Sequence, residues 1–197
     1  MATDLTIEQI IERLKDGNKK FMEDKLSHEK QDTERRKELV PGQDPFAIIL
    51  SCADSRVVPE LAFDTGLGEL FVTRVAGNVA NTSTIASIEY SVAHLKTKVI
   101  VVMGHESCGA VGAAVAGGDN GHNLNMLLAH VTPALNAAPD GASVNDIVKI
   151  NAELTAKELI NRSSIIANAV KAGELAVVPA YYNFASGKVD FLDKSYA

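Results

Sequence analysis

Val99-Ile100-Val101-Val102-Met103-Gly104-His105-Glu106-Ser107-Cys108-Gly109-Ala110-Val111 holds the pattern from which the fold is read. Its unbroken, largely β-branched apolar run fits a strand covered on both faces, because a half-exposed strand would alternate apolar with polar residues. The polar segment that follows is a turn, and residues 108–116 are small and apolar at helical spacing. A buried strand that ends in a polar turn and feeds a helix is one half of a βαβ unit.

The same pattern recurs on both sides. Further strands are expected at 46–51, 70–74 and 175–182, with the quoted one spanning 98–103. Helical patterns separate them: a short one after Pro59, then 82–95, 124–135 and a long region over 143–171 closed by Gly173. Ala185-Ser186-Gly187-Lys188 reads as the turn of a closing hairpin that returns through Val189. The expected fold class is therefore α/β, a mostly parallel sheet flanked by helices with a C-terminal hairpin. Ahead of it lies an N-terminal helical arm, residues 1–40. There Thr6 and Gln9 form a capping-box pattern, Ile7, Ile10, Ile11, Leu14 and Phe21 form one stripe, and Val40-Pro41-Gly42 is a stop. Residues 41–197 read as a single body, and the arm is expected to pack on it or on a second subunit.

Bulk properties narrow the function. The chain has 197 residues, 46% hydrophobic and 22% charged, with a net charge of −6. That acidity argues against a nucleic-acid backbone or an anionic membrane as partner. No run approaches the roughly 20 apolar residues of a membrane span. Met1 to Lys20 is charged throughout, without the apolar core of a secretory signal. Two cysteines make no disulfide framework and fit a reducing compartment, so the expected location is cytoplasmic.

Those two cysteines carry the chemistry. Cys52-Ala53-Asp54-Ser55-Arg56 follows the strand at 46–51, and His105-Glu106-Ser107-Cys108-Gly109 follows the strand at 98–103. Ligand sites in open parallel sheets gather at the carboxyl ends of strands, so Cys52, His105 and Cys108 converge if those strands are neighbours. Two thiolates and an imidazole suit zinc, and three protein ligands leave a fourth position for chemistry. Inert buried thiols, a redox pair and a lone cysteine nucleophile remain open on these residues alone. Asp54 and Arg56, two apart, can pair on extended backbone, where an ionised Asp54 would orient a metal-bound water. His28, His94, His122 and His130 have no comparable surroundings. Ala110 and Val111 stand where a phosphate loop needs Lys and Ser or Thr, and no G-x-G-x-x-G follows a strand.

Cys52-Ala53-Asp54-Ser55-Arg56-Val57 together with Gly104-His105-Glu106-Ser107-Cys108-Gly109 resembles the β-class carbonic anhydrases. The likeness continues through Pro59, Gly68-Glu69-Leu70-Phe71-Val72, Arg74, Asn78, Ile88-Glu89-Tyr90 and His94-Leu95-Lys96. It is strong over residues 40–117 and looser elsewhere. The resemblance implies reversible hydration of carbon dioxide to bicarbonate and a proton, by attack of a zinc-bound hydroxide. By similarity Cys52, His105 and Cys108 hold the zinc and Asp54 with Arg56 forms the catalytic dyad. Gln43, Phe71, Tyr90, Ala76 and Gly109 are implied as the substrate pocket, assembled across the interface of a homodimer or dimer-based tetramer. Gln43 stands nine positions before Cys52, and Ile49 occupies the position three before it where a second subgroup carries Trp, which implies the open-site, plant-like subgroup. Two departures stand out. Arg74-Val75-Ala76-Gly77-Asn78 replaces the family's Arg-Asn-x-Ala/Gly-Asn, implying a roomier or more mobile wall, and Glu106 would raise the pKa of the bound water if it faced the metal. A related zinc hydrolase acting on carbonyl sulfide or carbon disulfide, and a non-catalytic zinc protein with Asp54 as fixed fourth ligand, are the alternative readings.

Overall fold

The computed structural model describes residues 4–192, so the outermost residues of arm and body, 1–3 and 193–197, lie outside the described residues. Its elements run α1 (Ile7–Met22), α2 (Thr33–Glu38), β1 (Ala47–Ser51), α3 (Pro59–Ala62), β2 (Leu70–Arg74), α4 (Thr82–Tyr90), β3 (Val99–His105), α5 (Gly109–Ala116), α6 (His122–Ala129), α7 (Thr132–Ala137), α8 (Val144–Arg162), α9 (Ser164–Lys171), β4 (Ala176–Tyr182) and β5 (Val189–Phe191). The strands form a five-stranded sheet ordered β2-β1-β3-β4-β5. β5 alone runs antiparallel, on β4. This is the mostly parallel, helix-flanked sheet that the alternating patterns predict.

Strand order places the site. The chain steps from β1 outward to β2, then returns to lay β3 on β1's other side. The carboxyl ends of β1 and β3 therefore flank a point where connections diverge to opposite sides of the sheet, leaving a crevice between them. Cys52 follows β1 directly, and β3 ends on His105.

Both faces of the sheet are covered, which explains the continuous apolar runs. Ile48, Leu50, Ile100, Val102 and Val177 pack with Ile85 and Ile88 of α4, Ala156 and Leu159 of α8 and Ile166 of α9. Ala47, Ile49, Val99, Val101 and Met103 face the other way, onto Ile10 and Leu14 of α1 and onto Phe63. Gly104 lets β3 approach α8, since a Cβ there would stand 2.7 Å from Val148 Cγ1.

The arm's first helix sits on the body of its own chain. Its capping box is formed, with the Gln9 amide donating to Thr6 Oγ1 at 3.3 Å and the Thr6 amide to Gln9 Oε1 at 2.9 Å. Buried Asn18 then ties the helix to distant parts of the chain. It donates to the carbonyls of Ala62 and Gly187 and accepts the Val189 amide at 2.8 Å. The loop after α1 is held by Glu69, which takes Arg13, Lys30 and the Gly66 amide, and by Asp64, which takes Lys20 and Ser27.

Three helical expectations change in detail. The region 143–171 is two helices, because Ser163 turns extended (φ −122, ψ 113) and caps α9 by accepting the Ile166 amide. The region 124–135 breaks into α6 and α7, with Pro133 in the first turn of α7 where its missing N–H does no harm. The region 82–95 is α-helical to Tyr90, after which Ser91–Leu95 widens to a π turn closed by left-handed Lys96. Among the described residues no helix is long and apolar enough to cross a membrane.

Candidate metal centre

Cys52, His105 and Cys108 converge, their ligand atoms all within 4.8 Å of one another. The two sulfurs are 4.0 Å apart. All three residues are buried, and Val79, Val111 and Val131 pack around the cysteines. Cys108 is the residue at the amino end of α5, whose free amides and dipole favour negative charge on its sulfur. Ser107 makes this possible by adopting φ 54, and its amide is held by Asn145 Oδ1 at 2.8 Å.

The histidine is oriented by the backbone. Its Nδ1 lies 2.9 Å from the Glu106 carbonyl oxygen. A carbonyl only accepts, so Nδ1 carries the proton and Nε2 presents its lone pair. Nε2 is buried and makes no hydrogen bond. A buried ring nitrogen left unbonded is costly unless something else uses its lone pair. The sulfurs give the same indication. The pair loses its first proton readily, because the Cys108 thiol hydrogen-bonds the Cys52 thiolate against the effect of burial. The second is opposed by that hydrogen bond, by burial and by the charge on Cys52. A divalent cation between the sulfurs would lift the opposition, so the donor set fits a soft-ligand metal such as zinc.

Neighbouring backbone fixes Cys52. The Gly77 amide points at its Sγ at 3.4 Å. Gly77 itself is at φ 74, a conformation that glycine adopts without strain, and buried Asn151 of α8 donates to its carbonyl at 2.9 Å. Arg74 donates through Nε to the Cys52 carbonyl at 3.0 Å and through its terminal nitrogen to the Asp54 carbonyl at 2.6 Å. Sequence reading gave Arg74 no role and missed Asn151. Asn151 lies too far along the chain for any local signal to mark it.

Asp54 and Arg56 pair, but not on extended backbone. The chain turns here, the Val57 amide reaching the Asp54 carbonyl at 3.0 Å. Asp54 Oδ1 accepts the Arg56 amide at 2.9 Å and its Nε at 3.0 Å, while Oδ2 accepts Nη2 at 2.8 Å. These Arg56 hydrogen bonds hold the Asp54 carboxyl well below the usual range, outweighing its slight burial. Asp54 Oδ2 stands 4.0 Å from His105 Nε2, beside the cluster. Glu106 turns away from it, and its carboxylate accepts the Phe184 amide at 2.9 Å.

The five residues read as pocket lining divide. Ala76 precedes Gly77, and Gly109 follows Cys108, so both border the cluster; a Cβ on Gly109 would meet nothing within 4 Å. Gln43 lies before the amino end of β1, whereas Cys52 follows its carboxyl end. Phe71 aligns with Ile48 in the sheet and lies 6.4 Å, centroid to centroid, from the ring of Tyr90, itself 49% exposed. Neither Phe71 nor Tyr90 is among the hydrophobic residues packed with the two cysteines.

Known proteins similar to this chain are carbonic anhydrases. The family model described as carbonic anhydrase matches residues 47–189. A carbonic anhydrase of Mycolicibacterium smegmatis is 39% identical over 183 residues, covering 90% of this chain and 89% of its own length. Carbonic anhydrase 2 of Mycobacterium tuberculosis is 39% identical over 186 residues, covering 91% of this chain and 90% of its own. Among solved structures, a tetrameric β-carbonic anhydrase from Sordaria macrospora superposes with a TM-score of 0.74 at 29% identity, over 82% of this chain and 87% of that one. The Coccomyxa β-carbonic anhydrase solved with acetazolamide gives 0.75 at 28%, over 91% and 85%.

Proposed function

The chain belongs to the β-class carbonic anhydrase family, and from that premise we propose that it hydrates carbon dioxide reversibly to bicarbonate and a proton, with zinc held by Cys52, His105 and Cys108. Buried, unbonded His105 Nε2 facing two nearby sulfurs is the observation that carries this reading. Bound there, zinc would supply a Lewis acid able to generate a hydroxide nucleophile from water near neutral pH.

The protein's own groups do the rest. The Gly77 amide stabilises charge on Cys52 and the amino end of α5 stabilises it on Cys108. Asp54, kept ionised by Arg56, is placed to accept a hydrogen bond from a nucleophile formed beside it, which would aim that oxygen's lone pair at the substrate carbon. Val79, Val111 and Val131 give a small apolar substrate dry surroundings. The Asp54 carboxylate engaged by Arg56 on both oxygens favours the open-site, plant-like arrangement over one in which Asp54 is a permanent ligand.

The active unit is a homodimer or an assembly of dimers, in which Gln43, Phe71 and Tyr90 of a second copy complete the pocket. Edge strand β2 with half-buried Phe71, and exposed Tyr90 beside it, support this reading. So does the tetrameric state of the Sordaria protein. Stopped-flow hydration of carbon dioxide by the zinc-loaded protein tests the whole proposal. Catalysis above buffer is expected, with turnover of carbonyl sulfide and carbon disulfide slower. No rate above buffer would overturn it.

A further inference from the structure

The Glu106 carboxylate and Phe184 take no part in the scheme above, yet together they bridge the β4–β5 hairpin to the site. The Glu106 amide donates to the Tyr182 carbonyl at 2.8 Å, and its carboxylate accepts the Phe184 amide at 2.9 Å. The residue whose backbone carbonyl orients the His105 ring thus also holds the hairpin at Phe184. From there the Phe184 ring reaches two site residues. Its centroid is 5.2 Å from that of His105, and the Arg56 guanidinium carbon lies 4.1 Å above it. Tyr182 packs edge-on at 5.5 Å and fixes the ring's orientation.

We propose that Phe184, fixed by Glu106, is a positioning residue that keeps Arg56 on Asp54 and so keeps the Asp54 carboxylate off the metal. The proposal rests on the dyad reading given above. Its physical need is plain. The Arg56 side chain is 56% exposed, and an ion pair made by so exposed a chain holds weakly against solvent and rotamer entropy. An aromatic face beneath the guanidinium adds a cation–π attraction and removes alternative rotamers. Released from Arg56, the Asp54 carboxylate needs to move little, because Oδ2 already stands 4.0 Å from His105 Nε2.

Cobalt(II) in place of zinc reports the coordination directly, separately from turnover. Phe184→Leu keeps an apolar side chain but loses the π face; Phe184→Tyr restores the face. For Phe184→Leu the expected result is a changed ligand-field spectrum and roughly fivefold lower kcat at unchanged KM and metal content. Phe184→Tyr is expected to match wild type. Adding Asp54→Asn to Phe184→Leu should abolish the spectral change, because the shift requires the carboxylate. Glu106→Ala should reproduce the Phe184→Leu spectrum, and it carries the test if the Leu variant does not fold. A wild-type spectrum in both Phe184→Leu and Glu106→Ala would overturn the proposal, as would a shift that persists with Asp54→Asn. Failure of the wild-type zinc enzyme to hydrate carbon dioxide would instead overturn the dyad reading, before any variant is compared.

Discussion

Arg56 meets Asp54 on both carboxylate oxygens, through Nε to Oδ1 at 3.0 Å and Nη2 to Oδ2 at 2.8 Å. Only a planar guanidinium makes that forked contact. Arg56→Ala should therefore retain metal and lose about 10- to 100-fold in carbon dioxide hydration. Arg56→Lys should recover little of it. Metal content by mass spectrometry, read beside stopped-flow rates, checks both; full activity in either variant would contradict the dyad.

The Asn151–Gly77–Cys52 chain of contacts makes a prediction on affinity. Asn151→Leu leaves the Gly77 carbonyl without its buried donor, a loss of about 1–3 kcal/mol in stability. It also frees the peptide whose amide points at Cys52 Sγ, so metal affinity should fall by about tenfold. Competition with a chromophoric chelator measures the second effect, and a denaturant midpoint measures the first.

How far this arrangement could be read from the sequence depends on distance along the chain. The strands declared themselves through β-branched runs, because a doubly covered strand leaves no polar trace to blur. The Thr6–Gln9 box was equally legible, since both halves lie within one turn. Ser163 was not: a serine inside a long helical pattern looks like any polar position until its backbone turns extended to cap the next helix. The convergence of Cys52, His105 and Cys108 was legible from strand ends only on the condition that the two strands are neighbours, which the pairing of β1 with β3 supplies. Phe184 and Asn151 meet the site only through tertiary packing, and nothing in their local sequence marks them.

Acid stability should depend on Glu69. Burial pushes its carboxyl up, but hydrogen bonds from Lys30 and the Gly66 amide and the charges of Arg13 and Lys30 outweigh this and hold it below the ordinary glutamate value of 4.5. A depressed folded-state value means that the ionised form stabilises the fold above the unfolded pKa, and that this is lost as pH falls through the folded pKa. Glu69→Gln should lower Tm at neutral pH, and the gap to wild type should close on acidification below 4.5. A gap independent of pH would show that charge is not the cause.

The arm should contribute directly to the body's stability. Leu14 is fully buried against the face of the sheet lined by Ile49 and Val101. Leu14→Ala should cost about 2–5 kcal/mol by chemical denaturation. An effect below about 0.5 kcal/mol, the size expected of a surface substitution, would mean that α1 does not hold that face in solution.

X-ray absorption at the zinc edge of the full-length protein tests the central claim most directly. Two sulfur scatterers at about 2.3 Å with nitrogen or oxygen at about 2.0 Å are expected, and both sulfurs should vanish in the double variant Cys52→Ser/Cys108→Ser. A shell of oxygen and nitrogen alone in the wild-type protein, or cysteines joined as a disulfide with no metal retained, would contradict it.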